Sequence, residues 1–175
     1  ITSGLVGSEM CIRDSEQTMS QVVKISKKNG VSIGAHPSFK DPENFGRERM
    51  DLSESEIKKL IIDQYEILQK IASSHGESVS HVKPHGALNN MACEDIELAT
   101  ILAKTIKDIN KDIIYLVPTG SKMQEAAKKL DMKFACEIFA DRNYEDDGNL
   151  VSRKKPHALI TCLLYTSDAA DEYSR

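Results

Sequence analysis

Apolar residues recur along the chain at two spacings, one typical of amphipathic helices and the other of buried strands. The clearest helix begins after Ser53, which forms a capping box with Glu56 and precedes apolar positions at helical spacing up to Ile71. Gly76 then provides a stop signal. Three shorter helices are predicted around residues 19–23, 96–106 and 121–130, the last opening with a second capping box at Ser121 and Gln124.

Short apolar runs separate these helices and predict strands. They cover residues 31–35, 79–83, 113–117, 133–139 and 157–161. Strands that are nearly continuous in apolar residues, and that alternate with amphipathic helices, indicate a parallel sheet covered by helices. The fold class is therefore predicted to be α/β. Cys136, inside the fourth of these runs, is predicted to be a small buried residue.

Composition and charge narrow the classes of partner. The 175 residues are 40% hydrophobic and 29% charged, as in ordinary globular domains. The net charge is −4, from 23 basic and 27 acidic residues. Because these residues are interleaved along the chain, no basic stripe is available to bind a nucleic-acid backbone. No apolar run approaches the roughly 18 residues of a membrane span, and residues 1–15 lack the pattern of a signal peptide. We expect a cytoplasmic protein that binds neither nucleic acid nor membrane.

The two ends of the chain do not share the alternating pattern. Residues 1–15 and 162–175 have no clear period, and both resemble translated sequencing-adapter read-through. We expect these tails to lie outside the fold, which leaves residues 16–161 as the domain. A closed barrel of alternating strands and helices takes about 250 residues, so this domain is expected to be part of a larger barrel.

Polar side chains stand where the predicted strands end. His36 follows the first strand, Lys83 and His85 lie at the end of the second, and Asp141 comes soon after the fourth. The carboxyl ends of parallel strands meet at one edge of a sheet, which is where ligands bind in α/β folds. We therefore expect these four side chains to converge there.

Lys83 and His85 flank Pro84. Proline fixes its own φ and restricts the preceding residue, so the two polar groups would be held in a stiff turn, as a preorganised site requires. Imidazole titrates near neutrality, which makes His85 a candidate general base or metal ligand. A solvated lysine and a histidine bonded to backbone are the alternatives. His36, next to Pro37, repeats the pattern, but no HxH or HExxH spacing supports a metal site, and the metal question stays open.

Arginines and one asparagine complete the candidate set. Arg142 follows Asp141 directly, and Arg153 lies beyond a glycine-containing turn. An arginine can hold a carboxylate in bidentate geometry, which suits a small acidic substrate, whereas a solvated, ion-paired loop is the alternative. Arg47 lies in a long loop after the first strand and either closes over the site or coats its rim, and Asn90 is a candidate substrate contact. The sequence contains no GxxxxGK[ST] motif, so it has no recognisable P-loop for ATP.

Several of these segments resemble successive motifs of the LamB/YcsF family. The motifs are "GVSIGAHPSF", "FGRE", "HVKPHGALNN", "FADRNYEDDGNLVSR" and "PHALI", and they span residues 16–161 in order. The resemblance implies a partial (β/α) barrel related to the glycoside hydrolase/deacetylase superfamily, truncated at both ends. The family's opening DLNxDxGE and GFHAGD motifs would precede Glu16.

The resemblance also implies ATP-dependent hydrolysis of 5-oxoproline to glutamate, in a complex with two partner subunits. Under this interpretation His85 or Asp141 activates water, and Lys83 and Arg142 stabilise the developing anion. The candidates for binding substrate are His36, Arg47, Asn90 and Arg153. We expect this polypeptide to be inactive alone. Two other functions stay open: a metal-dependent deacetylase of N-acyl sugars, and a noncatalytic subunit that binds substrate.

Overall fold

The computed structural model describes residues 16–160 together with the backbone of residues 3–7. Strands and helices alternate through most of this part of the chain. The elements are β1 (Ser3–Gly7), α1 (Glu16–Lys28), β2 (Ser32–His36), α2 (Glu54–Ser74), β3 (Val79–Val82), α3 (Gly86–Glu94), α4 (Ile96–Ile109), β4 (Ile114–Pro118), α5 (Lys122–Lys129) and β5 (Phe134–Glu137).

The five strands form one parallel sheet in the order β1-β2-β3-β4-β5. Each strand therefore pairs with its neighbour in sequence: Ala35 lies opposite Val82, Val82 opposite Tyr115, and Tyr115 opposite Phe134. Parallel strands in sequential order, joined by helical crossovers, are the arrangement of successive units of a (β/α) barrel. The predicted α/β class with parallel strands is confirmed.

The strand β1 was not predicted, because residues 1–15 were expected to lie outside the fold. In the structure, Ser3–Gly7 pairs in parallel with Ser32–His36 along its whole length and forms one edge of the sheet. The other predicted tail, residues 162–175, lies outside the described residues. That the two tails are foreign to the natural protein stays a prediction.

Helices cover the sheet through an apolar core. The helix α2 packs on β2 and β3, α5 packs on β4 and β5, and α4 packs against both of these helices. Ile61 and Leu68 on α2, Leu102 on α4, and Tyr115 on β4 all have at most 1% of their surface exposed. Burial of such side chains is the main source of stability in a domain of this kind.

Local signals position the two best-predicted helices. The Ser53 hydroxyl accepts a hydrogen bond from the Glu56 N–H, and the Glu56 side chain accepts one from the Ser53 N–H, so the first capping box is confirmed. At the second, the Ser121 hydroxyl accepts from the Gln124 N–H as predicted. The Gln124 amide, however, accepts from the N–H of Gly120 instead of Ser121, so only half of that box forms.

Three features differ from expectation. The helix α3 was not predicted, because its apolar stripe is short and its N-cap, His85, makes no side-chain capping bond. Residues 157–160 do not form a strand: Leu159 makes a single antiparallel bridge with Arg142, and residue 161 lies outside the described part. Cys136 is exposed, because β5 pairs with a strand on one side only within the described sheet.

The chain divides into two compact units, one ending at Glu137 and the other beginning at Ile138. The first contains the sheet and its helices. In the described part of the second, the chain turns back on itself through isolated bridges, including one between Tyr144 and Leu150. No helix among the described residues is both long enough and apolar enough to cross a membrane.

Candidate active site

Alternation along the strands puts polar side chains on the face of the sheet opposite the helices. Ala35 and Val82 are buried in the helix-covered core, so the next residues, His36 and Lys83, point to the other face. Glu137, at the end of β5, reaches the same place, because its carboxylate contacts the Lys83 ammonium. These groups lie at the carboxyl ends of β2, β3 and β5, and we call this region the carboxyl edge.

His36 and His85 are in direct contact. Their ring centroids are 4.6 Å apart with an interplanar angle of 70°, and His36 Nε2 lies 2.9 Å from His85 Nδ1. The other ring nitrogens each face a backbone carbonyl: His36 Nδ1–H donates to the Lys83 oxygen at 2.6 Å, and His85 Nε2–H donates to the Phe45 oxygen at 3.1 Å. A carbonyl can only accept, so both outer nitrogens carry a hydrogen.

Backbone hydrogen bonds hold the two histidines together beyond the ends of their strands. The Lys83 N–H donates to the Ala35 oxygen, and the His85 N–H donates to the Pro37 oxygen, both at 2.9 Å. The parallel pairing of β2 and β3 thus continues through the two histidine–proline turns. Each proline restricts the backbone next to it, so the imidazoles are aimed before any ligand arrives.

The loop after β2 supplies the carbonyl that faces His85. Phe45 and Gly46 both adopt positive φ, at 57° and 65°. This conformation is costly for phenylalanine and is found where the surrounding structure enforces it. It directs the Gly46 oxygen to the Ala87 N–H at 2.9 Å, at the start of α3. Gly86, with φ 61°, fits there because a Cβ would collide with the Gly46 carbonyl.

Lys83 and Glu137 form a largely buried ion pair. Lys83 Nζ lies 2.6 Å from Glu137 Oε2, and the two side chains are only 12% and 22% exposed. The other carboxylate oxygen, Oε1, is buried and has no hydrogen-bond partner in the described part of the chain. The Glu137 backbone oxygen is fixed by the N–H and hydroxyl of Thr119. The pair therefore presents a carboxylate oxygen that is available to accept a hydrogen bond.

Burial sets the protonation of His36. Loss of solvation is the largest cause that lowers its pKa from 6.5 to about 4, and the electrostatic interaction with the neighbouring His85 ring lowers it further. The bond to the Lys83 carbonyl acts in the opposite direction, and the Lys83 ammonium lowers the pKa again. His36 is therefore a neutral imidazole at neutral pH.

A second buried histidine lies on the same strand as Lys83. His81 pairs with Gly34 across β2 and β3, and its ring occupies the space that a Cβ on Gly34 would need. The Ser80 hydroxyl donates to the Ile33 oxygen, so His81 Nδ1–H must donate to that hydroxyl. Burial lowers the pKa of His81, which is consistent with this neutral form.

The sequence of the chain matches a known protein family. The profile of the LamB/YcsF family matches residues 14–168. This chain belongs to the LamB/YcsF family. The match covers most of the chain, including every element from α1 to β5.

Named relatives of this LamB/YcsF chain are similar over most of its length. It is 46% identical over 143 residues to the A subunit of 5-oxoprolinase from Rhodopseudomonas palustris strain CGA009, and 45% identical over 143 residues to that of Clostridium beijerinckii. These matches take in 81% and 82% of the chain but 56% of each relative. The chain thus spans about half the length of the curated relatives that it matches.

A solved structure shows the same fold. The lactam utilization protein from Thermus thermophilus superposes with a TM-score of 0.78 at 34% identity. The superposition covers 85% of this LamB/YcsF chain and 60% of that protein.

The structure brings together three of the predicted site residues of this LamB/YcsF chain, His36, Lys83 and His85. In the same unit, Arg47 is exposed, with its guanidinium 5.6 Å from the centre of the Phe45 ring. Asn90 is exposed on α3. Their proposed contacts with substrate stay predictions.

The other predicted residues lie in the second unit. Asp141 and Arg153 are exposed. Arg142 is buried, and its guanidinium donates to the Ala158 oxygen at 3.2 Å and the Val151 oxygen at 2.7 Å. Through these bonds Arg142 stabilises the fold of this segment. Its predicted role, stabilising the anion that develops during the reaction, stays a prediction.

Glu137 is the residue of this site that sequence reasoning missed. The predicted strand ran to residue 139, which placed Glu137 inside the strand, whereas β5 ends at Glu137 itself. The signal was a lone acidic residue in an apolar run. No group of three or more potential metal ligands occurs among the described residues, and each ring nitrogen of His36 and His85 is engaged in a hydrogen bond.

Proposed function

We propose that this chain is part of a 5-oxoprolinase A subunit that opens the lactam ring of 5-oxoproline to give glutamate. The observation that carries this proposal is the connected set of groups at the carboxyl edge. His36 is hydrogen-bonded to His85 and to the backbone oxygen of Lys83, and the Lys83 ammonium is paired with the Glu137 carboxylate. The names of the relatives, 5-oxoprolinase and lactam utilization protein, support a cyclic amide as the substrate.

These groups match the needs of amide hydrolysis. The attacking water must lose a proton, the leaving nitrogen must gain one, and the oxygen of the carbonyl gathers negative charge. A carboxylate, a protonated imidazole and an ammonium are suited to these three tasks. At the carboxyl end of a parallel sheet they also stand where active sites of (β/α) barrels lie.

ATP drives the reaction in this proposal. A lactam is a poor electrophile, because the nitrogen lone pair is delocalised into the carbonyl. Transfer of the γ-phosphoryl group to the carbonyl oxygen forms an O–P bond and releases ADP. Water then adds to the ring carbon and the C–N bond breaks, which leaves an acyl phosphate on the opened chain. A second water hydrolyses this acyl phosphate and releases phosphate, so that 5-oxoproline, ATP and two waters give glutamate, ADP and phosphate. We assign this reaction to a cytoplasmic complex with two partner subunits, and the naming of the relatives as A subunits supports an assembly of several chains.

A hybrid protein provides the test. Residues 16–160 replace the matching segment of the R. palustris relative, and the hybrid is combined with that organism's partner subunits. We expect ADP and glutamate to form in equal amounts, and only when 5-oxoproline is present. The variant Lys83→Met should lose this activity, while Lys133→Met, which changes an exposed lysine, should keep it.

Two outcomes would contradict the proposal. A folded hybrid that removes the acetyl group of an N-acetylated sugar in a chelator-sensitive manner, without acting on 5-oxoproline, would support the deacetylase alternative. Full turnover by Lys83→Met would support a noncatalytic subunit.

A further inference from the structure

Two carbonyl oxygens bracket the His36–His85 pair. The Lys83 oxygen faces one end of the pair and the Phe45 oxygen faces the other, at 2.6 Å and 3.1 Å from the nearest ring nitrogen. The two rings meet in the middle at 2.9 Å. Four ring nitrogens thus take part in three hydrogen bonds in a row.

Counting hydrogens fixes the charge of this row. Each bond needs one N–H, so the three bonds require three hydrogens on the four ring nitrogens. Two neutral imidazoles carry only two. If both were neutral, one end of the row would place a nitrogen lone pair against a carbonyl lone pair. The arrangement is satisfied only when one ring is an imidazolium.

The surroundings identify which ring carries the charge. His36 is the neutral member, because burial lowers its pKa to about 4. Its Nδ1 is the donor to the Lys83 oxygen, so its Nε2 must accept from His85 Nδ1–H. His85 then donates from both nitrogens and holds the extra hydrogen.

We propose that His36 and His85 form a singly protonated pair in which His85 is the cation and the proton donor for ring opening, not the base that activates water. His36 is a positioning residue in this pair, because it acts through His85. The charged groups on the adjoining elements include the Lys83 ammonium, which is paired with the Glu137 carboxylate. The loop after β2 carries side chains of both signs, among them Asp41, Glu43, Arg47 and Glu48, and its Arg49 is paired with Glu94 on α3.

The role in ring opening rests on the proposed function. Water forms a bond to the ring carbon, and the Glu137 Oε1 atom takes its proton. The C–N bond breaks with its electron pair going to nitrogen, which takes the proton from His85 Nε2. The substrate nitrogen thereby replaces the Phe45 carbonyl at that ring nitrogen. Return of the proton from Glu137 to His85 through solvent restores the pair.

Nitrogen-15 NMR of the 175-residue chain tests the charge state without any activity. Two-bond couplings from the ring protons report whether each imidazole nitrogen carries a hydrogen. At neutral pH we expect both nitrogens of His85 to be protonated and only Nδ1 of His36 to be. The exposed ring of His157 is the internal reference for a solvated imidazole. An unprotonated nitrogen on His85 at neutral pH would overturn the proposal, whatever the hybrid protein does in the assay.

The pH profile of the active hybrid tests the catalytic role. A proton donor makes kcat fall as pH rises, whereas a base makes it fall as pH drops. In the unaltered hybrid we expect kcat to fall at alkaline pH. In His85→Gln we expect kcat to be about 10²–10⁴-fold lower and this alkaline fall to be absent. His36→Gln keeps an acceptor for His85 Nδ1–H and should retain the alkaline fall, while His36→Leu should shift it to lower pH. Retention of the alkaline fall in His85→Gln would refute the donor role.

Discussion

Breaking the buried Lys83–Glu137 pair should destabilise the fold far more than breaking an exposed one. Lys83→Met removes the ammonium that lies 2.6 Å from the Glu137 carboxylate, while the other carboxylate oxygen is already buried without a partner among the described residues. The charge would stay buried with no hydrogen-bond donor. Removing one member of a buried ion pair costs about 3–5 kcal/mol, and the partial exposure of this pair places the expected loss near the lower value, about 3 kcal/mol.

Urea unfolding followed by circular dichroism measures this loss. The matched control is Lys133→Met, which breaks an ion pair of similar length with Asp112, at 2.8 Å, whose side chains are 62% and 65% exposed. An exposed pair contributes about 0–1 kcal/mol, so the control should stay close to the unaltered chain. In the double variant Lys83→Met/Glu137→Gln a neutral amide replaces the stranded charge, and most of the stability should return. Equal losses in Lys83→Met and Lys133→Met, or no recovery in the double variant, would refute this reasoning.

Three further predictions concern stability. The free energy of unfolding should fall by about 3 kcal/mol as pH drops from 6.5 to 4, because the unfolded chain binds a proton at His36 in this range and the folded chain, with a pKa of about 4, does not. Urea titrations at several pH values measure this fall, and it should be smaller in His36→Gln. Gly86→Ala should lower the free energy of unfolding by about 2–3 kcal/mol, through backbone strain and collision with the Gly46 carbonyl. The control is Gly30→Ala, which has a similar positive φ but lies in open space, and urea unfolding should show a smaller loss for it. Leu102→Ala empties a fully buried position and should lower the free energy of unfolding by about 2–5 kcal/mol, and a loss under about 1 kcal/mol would contradict the packing described.

The parts of the fold that sequence predicts are those encoded locally. Ser53 and Glu56 are three residues apart, so the start of α2 can be found from a single turn. His36 and Lys83 could be placed at one edge because both follow strands that are expected to run in parallel once helices separate them. Their meeting is a consequence of topology and needs no knowledge of side-chain packing.

The parts that sequence does not predict depend on contacts between distant segments. Glu137 belongs to the site only because β5 ends there, and its apolar neighbours gave no sign of that end. The carbonyl opposite His85 comes from Phe45, a residue whose positive φ no local pattern indicates. The N-cap of α3 is His85, whose side chain bonds to His36 and makes no capping bond that the sequence could reveal.

The sequential order of the strands has a consequence for how the chain folds. From β2 onward, contacts between neighbouring strands close progressively shorter loops along the chain, from Ala35 with Val82, to Val82 with Tyr115, to Val117 with Cys136. Closing a short loop costs less chain entropy than closing a long one. During synthesis each strand also leaves the ribosome after the partner on which it docks. The histidine pair is therefore assembled as soon as β3 docks on β2, whereas the ion pair must wait for β5, so the two halves of the site form at different times.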